Sequence, residues 1–177
     1  METPSRKVAA KRRALNYAGI NKICLVGIDL DAQALSDAKN LAQKKDLIHW
    51  TKFAQKDAWY LGIKNEFDLI SSNGLSIYES DDDRVFALYE SFYHALAPQG
   101  RLVTSFLTYP PNSTAFCEWD MEKIDPADSL LQRIIFGDIL NAKFQCYRTT
   151  VTIKEQLSKI GFKEITFIYD RARIWRC

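Results

Sequence analysis

The stretch "KICLVGIDLDAQALSDAKNLAQKK", Lys22 to Lys45, most constrains what this chain can fold into. Its first part, "ICLVGI", is apolar throughout, the pattern of a parallel strand covered by helices on both faces. The second part changes period: Ala34, Leu35, Ala38, Leu41 and Ala42 recur at helical spacing. A strand running straight into an amphipathic helix is half of a βαβ unit. Asp29 and Asp31 stand at the change. Asp31 is placed to cap the first helical turn. Asp29 has two readings. It is either a turn acid after a strand, or a ligand acid, since open parallel sheets bind ligands at the carboxyl ends of their strands and an acid there accepts hydrogen bonds from ribose hydroxyls.

The alternation continues along the chain. "DLIHWTKF", "EFDLISSNG" and "GRLVTSFL" are strand candidates, and "ESDDDRVFALYESFYHALAP" is a helix opened by acids and closed by Pro98. An irregular stretch, "TYPPNSTAFCEWDMEKIDP", precedes an apolar helix, "ADSLLQRIIFGDIL". Leu130, Leu131, Ile134, Ile135 and Ile139 make too wide a stripe there for a solvated surface, so the helix is either core or a lid. Thr152 to Glu155 has the form of a capping box for "IKEQLSKIG". "FKEITFIYD" and "RIWRC" close the chain as an antiparallel pair. Strands alternating with helices predict an α/β domain: a mostly parallel sheet, helices on both faces and an antiparallel C-terminal strand. At 177 residues the chain is one domain, 1–177. Residues 1–21, opening "METPSRKVAAKRRALNYAGI", form a basic helical segment, and 109–142 form an insertion.

Composition narrows the partners. Lys and Arg total 24 against 22 for Asp and Glu, and a net charge of +2 offers nothing to nucleic acid or an anionic membrane. No apolar run approaches the ~18 residues of a membrane span. The four cysteines lie far apart with no C-x-x-C pair, which fits a reducing cytoplasm. His49 and His94 are the only histidines, too few and too isolated for a metal site. His94 is expected as a helix residue rather than a base. "SDDDR", residues 80–84, is expected as a solvated helix cap.

The remaining signals fall at strand ends. Asp57, in "QKDAWYL", follows a strand candidate by a short loop, where it can accept a hydrogen bond from an adenine amino group while the backbone of Ala58 meets the ring edge. "FDLISSNG" ends in small polar residues, and "LAPQGRLV" enters a strand through a Pro and a Gly turn. Tyr78, Tyr109 and Trp119 follow or lie near strand ends, where they either wall a substrate pocket or pack the core.

In this order, "VGIDLDAQALSDAKNLA", "KDAWYL", "EFDLISSNGLSIYE", "LAPQGRLVTSF" and the closing "GFKEITFIYD" resemble the class I S-adenosylmethionine-dependent methyltransferases from about Ala14 onward. The resemblance implies a Rossmann-like fold and S-adenosylmethionine as cofactor. Asp29 would hold its ribose and Leu30 pack on its adenine. Asp57 and Ala58 would meet the adenine edge, and Ser72, Asn73 and Gly74 would line the cofactor. Tyr78, Tyr109 and Trp119 would line the pocket of a small-molecule acceptor. No catalytic residue is implied, because methyl transfer can rest on alignment alone.

One departure stands out. The family's first strand ends in a Gly-rich loop, commonly G-x-G-x-G, yet no two of the seven glycines here are separated by a single residue. The pattern predicts either an N-terminally shortened member or a gene start placed too late; as given, the chain would lack the first central strand, possess strand edges open to self-association and bind cofactor weakly. Two other functions compete with methyl transfer: a non-catalytic interaction module on the same fold, and an NAD-dependent oxidoreductase. The latter requires a G-x-G-x-x-G that is also missing.

Overall fold

The computed structural model describes residues 23–110, 117, 119, 122, 125–139, 141, 146–168 and 175–176. The segment expected as a basic helix, 1–21, and part of the 109–142 insertion lie outside the described residues. The chain divides into two compact units, Met1–Tyr60 and Leu61–Cys177.

In the first unit, β1 (Leu25–Asp29) leads into α1 (Ala32–Lys44) and then β2 (Thr51–Gln55). The helix starts where expected, because Asp31 Oδ1 accepts the otherwise unpaired amide of Gln33 at 2.8 Å. Ala42 is buried, and Ala34, Leu35, Ala38 and Leu41 are half-buried, which is the stripe that the spacing implies. β2 runs parallel to β1, with Leu25 opposite Thr51 and Asp29 opposite Gln55. The strand expected over "DLIHWTKF" begins later than predicted. Ile48–Trp50 instead form a 3-10 turn, whose end is held by the Thr51 hydroxyl donating to the carbonyls of Leu47 and Ile48 at 3.2 and 3.3 Å. An apolar run of this length leaves turn and strand undecided until such a local bond chooses.

The second unit contains β3 (Phe67–Ser72), α2 (Asp82–Ala95), β4 (Leu96–Thr104), β5 (Phe106–Leu107), α3 (Pro126–Arg133), α4 (Thr150–Ile160) and β6 (Trp175–Arg176). β3 and β4 are parallel, with Ile70 opposite Leu102 and Ser72 opposite Thr104. β4 begins directly after α2, earlier than "GRLVTSFL" implied, and its register shifts between Phe67 and Leu69. Gly100 is required at this irregularity: a Cβ there would stand 2.8 Å from the carbonyl oxygen of Ala97 and 2.9 Å from that of Phe67. The two backbones approach too closely for any side chain.

The C-terminal strand is antiparallel as expected, but its partner is β5, with Phe106 opposite Arg176. The segment "FKEITFIYD" is irregular over its described residues. Glu164 takes φ +54°, and the Thr166 hydroxyl bonds back to the Glu164 carbonyl at 3.5 Å, a local turn that competes with a strand ladder. Phe167 packs edge-on against Phe106, with ring centroids 5.9 Å apart.

The core of this unit is the inner face of α2, where Val85, Leu88, Tyr89, Phe92 and Ala95 repeat at helical spacing. Ile153 and Leu157 of α4 are buried too, as are Phe106 and Leu107. The capping box expected at Thr152 to Glu155 is not the start of α4. The cap is Thr149, whose Oγ1 accepts from the Thr152 amide at 3.1 Å and sits 2.9 Å from the Thr152 hydroxyl. The apolar helix also departs from expectation. Leu130, Leu131, Ile134 and Ile139 are exposed and Ile135 is half-buried, so the stripe is not part of the buried core. At Ile134 the winding changes from α to π through Ile139, which rotates the later residues off the earlier face.

Candidate functional site

The parallel register of β1 and β2 decides where the two singled-out aspartates lie. Asp29 is the last residue of β1, and Asp57 comes two residues after β2 ends at Gln55, so both acids stand at the carboxyl edge of this strand pair. The edge is cross-linked. The Lys56 amide donates to the Asp29 carbonyl at 3.1 Å, and the Gln55 side-chain amide to the Leu30 carbonyl at 2.9 Å.

Each carboxylate already has a local partner. Asp29 Oδ1 accepts from the Asp31 amide at 3.0 Å, and Asp57 Oδ1 from the Trp59 amide at 2.9 Å. These bonds fix the carboxylates without filling them, because a carboxylate offers about four lone-pair sites. Asp29 is exposed and Asp57 half-buried. Leu30 is 61% exposed beside Asp29, an apolar side chain that folding leaves uncovered. Ala58 opens the 3-10 turn Ala58–Tyr60. The arrangement fits a ribose with its base: acceptors for two vicinal hydroxyls, next to an apolar surface for a planar ring.

In the second unit, the carboxyl end of β3 carries Ser72, Asn73 and Gly74. The Ser72 hydroxyl is buried with no hydrogen-bond partner among the described residues, a feature that fits a polar ligand group there. Asn73 Oδ1 accepts from the Ser105 hydroxyl at 2.6 Å. Gly74 has φ +87°, a conformation that disfavours any side chain, and it turns the chain into the 3-10 turn Leu75–Tyr78.

Of the three aromatics, Tyr78 is 66% exposed on that turn. Tyr109 is half-buried, its ring 5.8 Å from that of Tyr147 and tilted by 39°. The Trp119 indole N–H reaches the Thr108 hydroxyl at 3.1 Å and its carbonyl at 3.3 Å. Tyr109 and Trp119 thus both lie just beyond β5. Burial raises the Tyr147 phenol above its ordinary pKa, so it is a neutral donor at physiological pH.

Sequence reasoning missed Arg148. It is 5% exposed, and its guanidinium donates to Asp82 Oδ1 at 2.7 Å, the Ser76 carbonyl at 2.9 Å and the Glu79 carbonyl at 2.7 Å. Asp82 is therefore an ion-pair partner, not only part of a solvated cap. Asp81 is the cap, accepting from the Asp83 amide at 2.9 Å. Beside it Arg84 holds the Glu79 carboxyl below the usual range, helped by the Asp81 amide.

Parallel strands alternating with helices, with acids at the carboxyl ends of β1 and β2, define a Rossmann-like α/β fold. A family profile described as "Methyltransferase domain" matches residues 11–100, about half of the chain, and the chain belongs to this family of class I S-adenosylmethionine-dependent methyltransferases. The methyl donor of that family is S-adenosylmethionine. Among solved structures, a possible exported protein from Bordetella parapertussis is 43% identical with a TM-score of 0.79, over 86% of this chain and 51% of that one. PigF with SAH is 13% identical with a TM-score of 0.62, over 96% of this chain and 46% of that one. An S-adenosylmethionine-dependent methyltransferase from Methanosarcina mazei is 13% identical with a TM-score of 0.60, over 85% of this chain and 77% of its own. The last two likenesses show the fold alone. This chain spans about half the length of the Bordetella and PigF chains. No curated protein matches it.

Proposed function

We propose that this chain carries an S-adenosylmethionine-dependent methyltransferase domain that acts on a small-molecule acceptor. The observation that carries the reading is the shared carboxyl edge of β1 and β2, at which Asp29 and, two residues beyond β2, Asp57 both stand. Asp29 accepts the ribose hydroxyls, Leu30 covers the adenine face, and Asp57 with the Ala58 backbone meets its edge. Ser72, Asn73 and Gly74 keep their proposed role as cofactor-lining residues. Tyr78, Tyr109 and Trp119 are proposed for the acceptor, and residues 109–142 for its cover. When bound, the cofactor supplies an activated methyl group. The chain's task is then to align an acceptor nucleophile with it, which can account for about 7 to 11 kcal/mol of the barrier.

The chain is proposed to work in the cytoplasm without nucleic-acid or membrane partners. No helix among the described residues is long and apolar enough to cross a membrane. β1 and β3 each have one strand partner among the described residues, and the edges so left support a proposal of self-association.

A second reading, a non-catalytic module on this fold, is favoured by the missing G-x-G pattern. Nuclear magnetic resonance reads binding up to the millimolar range and separates the two readings. Titrating S-adenosylmethionine to several millimolar should shift the amides of Asp29 to Asp31 and Asp57 to Trp59, and Asp29→Ala should weaken the titration at least tenfold. Unmoved amides at saturation would remove the cofactor reading and leave the module.

A further inference from the structure

The Arg148 guanidinium bonds to Ser76, Glu79 and Asp82, all on one segment. The turn after β3 runs from Gly74 through Leu75–Tyr78 to the Asp81 cap of α2. Within it the Ile77 amide reaches the Gly74 carbonyl at 3.3 Å, the Glu79 amide that of Ser76 at 3.4 Å, and the Asp81 amide Glu79 Oε1 at 3.0 Å. The guanidinium spans it from Ser76 to Asp82, using Nη1, Nη2 and Nε on three separate acceptors. No other side chain presents donors in such a fixed fork. The Cys146 amide adds a bond to the Ile77 carbonyl at 3.4 Å, so the Arg148 strand segment also lies along the turn.

The same segment is fixed at its other side. The Arg148 amide donates to the Leu107 carbonyl at 2.9 Å, and Tyr147 bridges to Leu107. Arg148 is thereby anchored on β5 by its backbone and to the turn by its side chain. Ser105, just before β5, joins the same arrangement: its amide donates to the Ser72 carbonyl at 3.3 Å, its carbonyl accepts from the Ser76 hydroxyl at 3.2 Å, and its hydroxyl holds Asn73.

We propose that Arg148 is a positioning residue which, by clamping Ser76, Glu79 and Asp82 onto β5, holds Ser72, Asn73 and Gly74 in the conformation that receives S-adenosylmethionine. The inference rests on the cofactor reading above. It adds a residue that touches no ligand and acts through the turn. Lysine cannot substitute for it, because one ammonium cannot reach three acceptors arranged around a planar fork.

The test uses the full chain and the same S-adenosylmethionine titration, now followed at the amides of Ser72, Asn73 and Gly74. In Arg148→Gly these amides should lose their response at least tenfold. Guanidinium chloride at 20 mM should restore it, whereas sodium chloride at 20 mM should not. Arg148→Lys should behave like the glycine variant. Should Arg148→Gly fail to fold, Asp82→Ala removes one acceptor that is 60% exposed at its side chain, and should weaken the response several-fold in a folded protein. A response in Arg148→Lys equal to the parent's, or an unfolded glycine variant with Asp82→Ala unchanged, would overturn the proposal while leaving the cofactor reading intact. An unresponsive parent chain would overturn both.

Discussion

Three aspartates at the edge of the first unit are equivalent by composition but differ in what each carboxylate holds. Asp31 holds a helix amide, which its place before an amphipathic run made legible; Asp29 and Asp57 hold amides two residues ahead. The sequence left turn acid and ligand acid open for Asp29, and the geometry allows both roles together, since one oxygen, Oδ1, serves the turn and the side chain is exposed. Arg148 was illegible for a different reason. Its three partners lie 66 to 72 positions upstream, and no local pattern marks an arginine for so distant a role. Tyr89 carries a prediction at this scale. Its ring is fully buried, and its hydroxyl has no hydrogen-bond partner among the described residues, although Ser76 and Thr104 lie near. Burial raises its pKa above 10.0, with Ser76, Arg148 and Thr104 offsetting this in part. Above pH 10 the unfolded chain releases the phenol proton first, so the stability held below that pH is lost as pH rises toward the folded value. Tyr89→Phe should thus be neutral or more stable by about 1 kcal/mol at pH 8, since it removes an unsatisfied polar group. Urea unfolding at pH 8 and pH 10.5 should show a smaller alkaline loss for Tyr89→Phe than for the parent. Equal losses would mean that Tyr89 does not stay protonated in the fold.

Elements were legible where one period ran long enough, and misplaced where short-range chemistry set their ends. The stripe of α1 and the inner face of α2 follow directly from apolar spacing. The start of α4 does not. Both Thr149 and Thr152 satisfy the preference for a hydroxyl cap, and Glu155 made the later one look complete. Ile153 and Leu157 must both face the core, however, and the chain already enters helical geometry at Thr150. The two readings separate by mutation. Thr149→Ala should cost about 1 kcal/mol, because the Thr152 amide loses its acceptor. Glu155→Ala, exposed in mid-helix, should stay within about 0.5 kcal/mol. Chemical denaturation of both variants measures this, and the reverse order would restore the capping box. The β5–β6 pairing was illegible for a related reason: adjacency in sequence favours a hairpin, while Glu164 and Thr166 form a turn that diverts "FKEITFIYD" from a ladder.

At the scale of the molecule, the order of segments revealed the family, since five strand-end signals in sequence are harder to meet by chance than any one of them. Order carries no information on how much apolar surface each part buries, and there the two units differ. Among the described residues of the first, only Ala42 is a buried apolar residue, with β1 and α1 otherwise half-buried or exposed. The second buries Val85, Leu88, Tyr89, Phe92, Phe106, Ile153 and Leu157, and each large apolar side chain contributes about 1.5 to 3 kcal/mol of burial. Ordering a residue costs about 1 to 2 kcal/mol in either unit, so the β1–α1–β2 segment has less to offset it. Local opening should therefore precede global unfolding there. Hydrogen exchange followed by mass spectrometry should find peptides covering residues 25–55 exchanging at least tenfold faster than those covering 85–107 and 150–160. Millimolar S-adenosylmethionine should then slow the first set, because a ligand held by Asp29 and Asp57 stabilises the state that binds it. Equal exchange across all three regions would show that the scarce burial is compensated within the first unit. Protection that left residues 25–55 unchanged would place the ligand elsewhere.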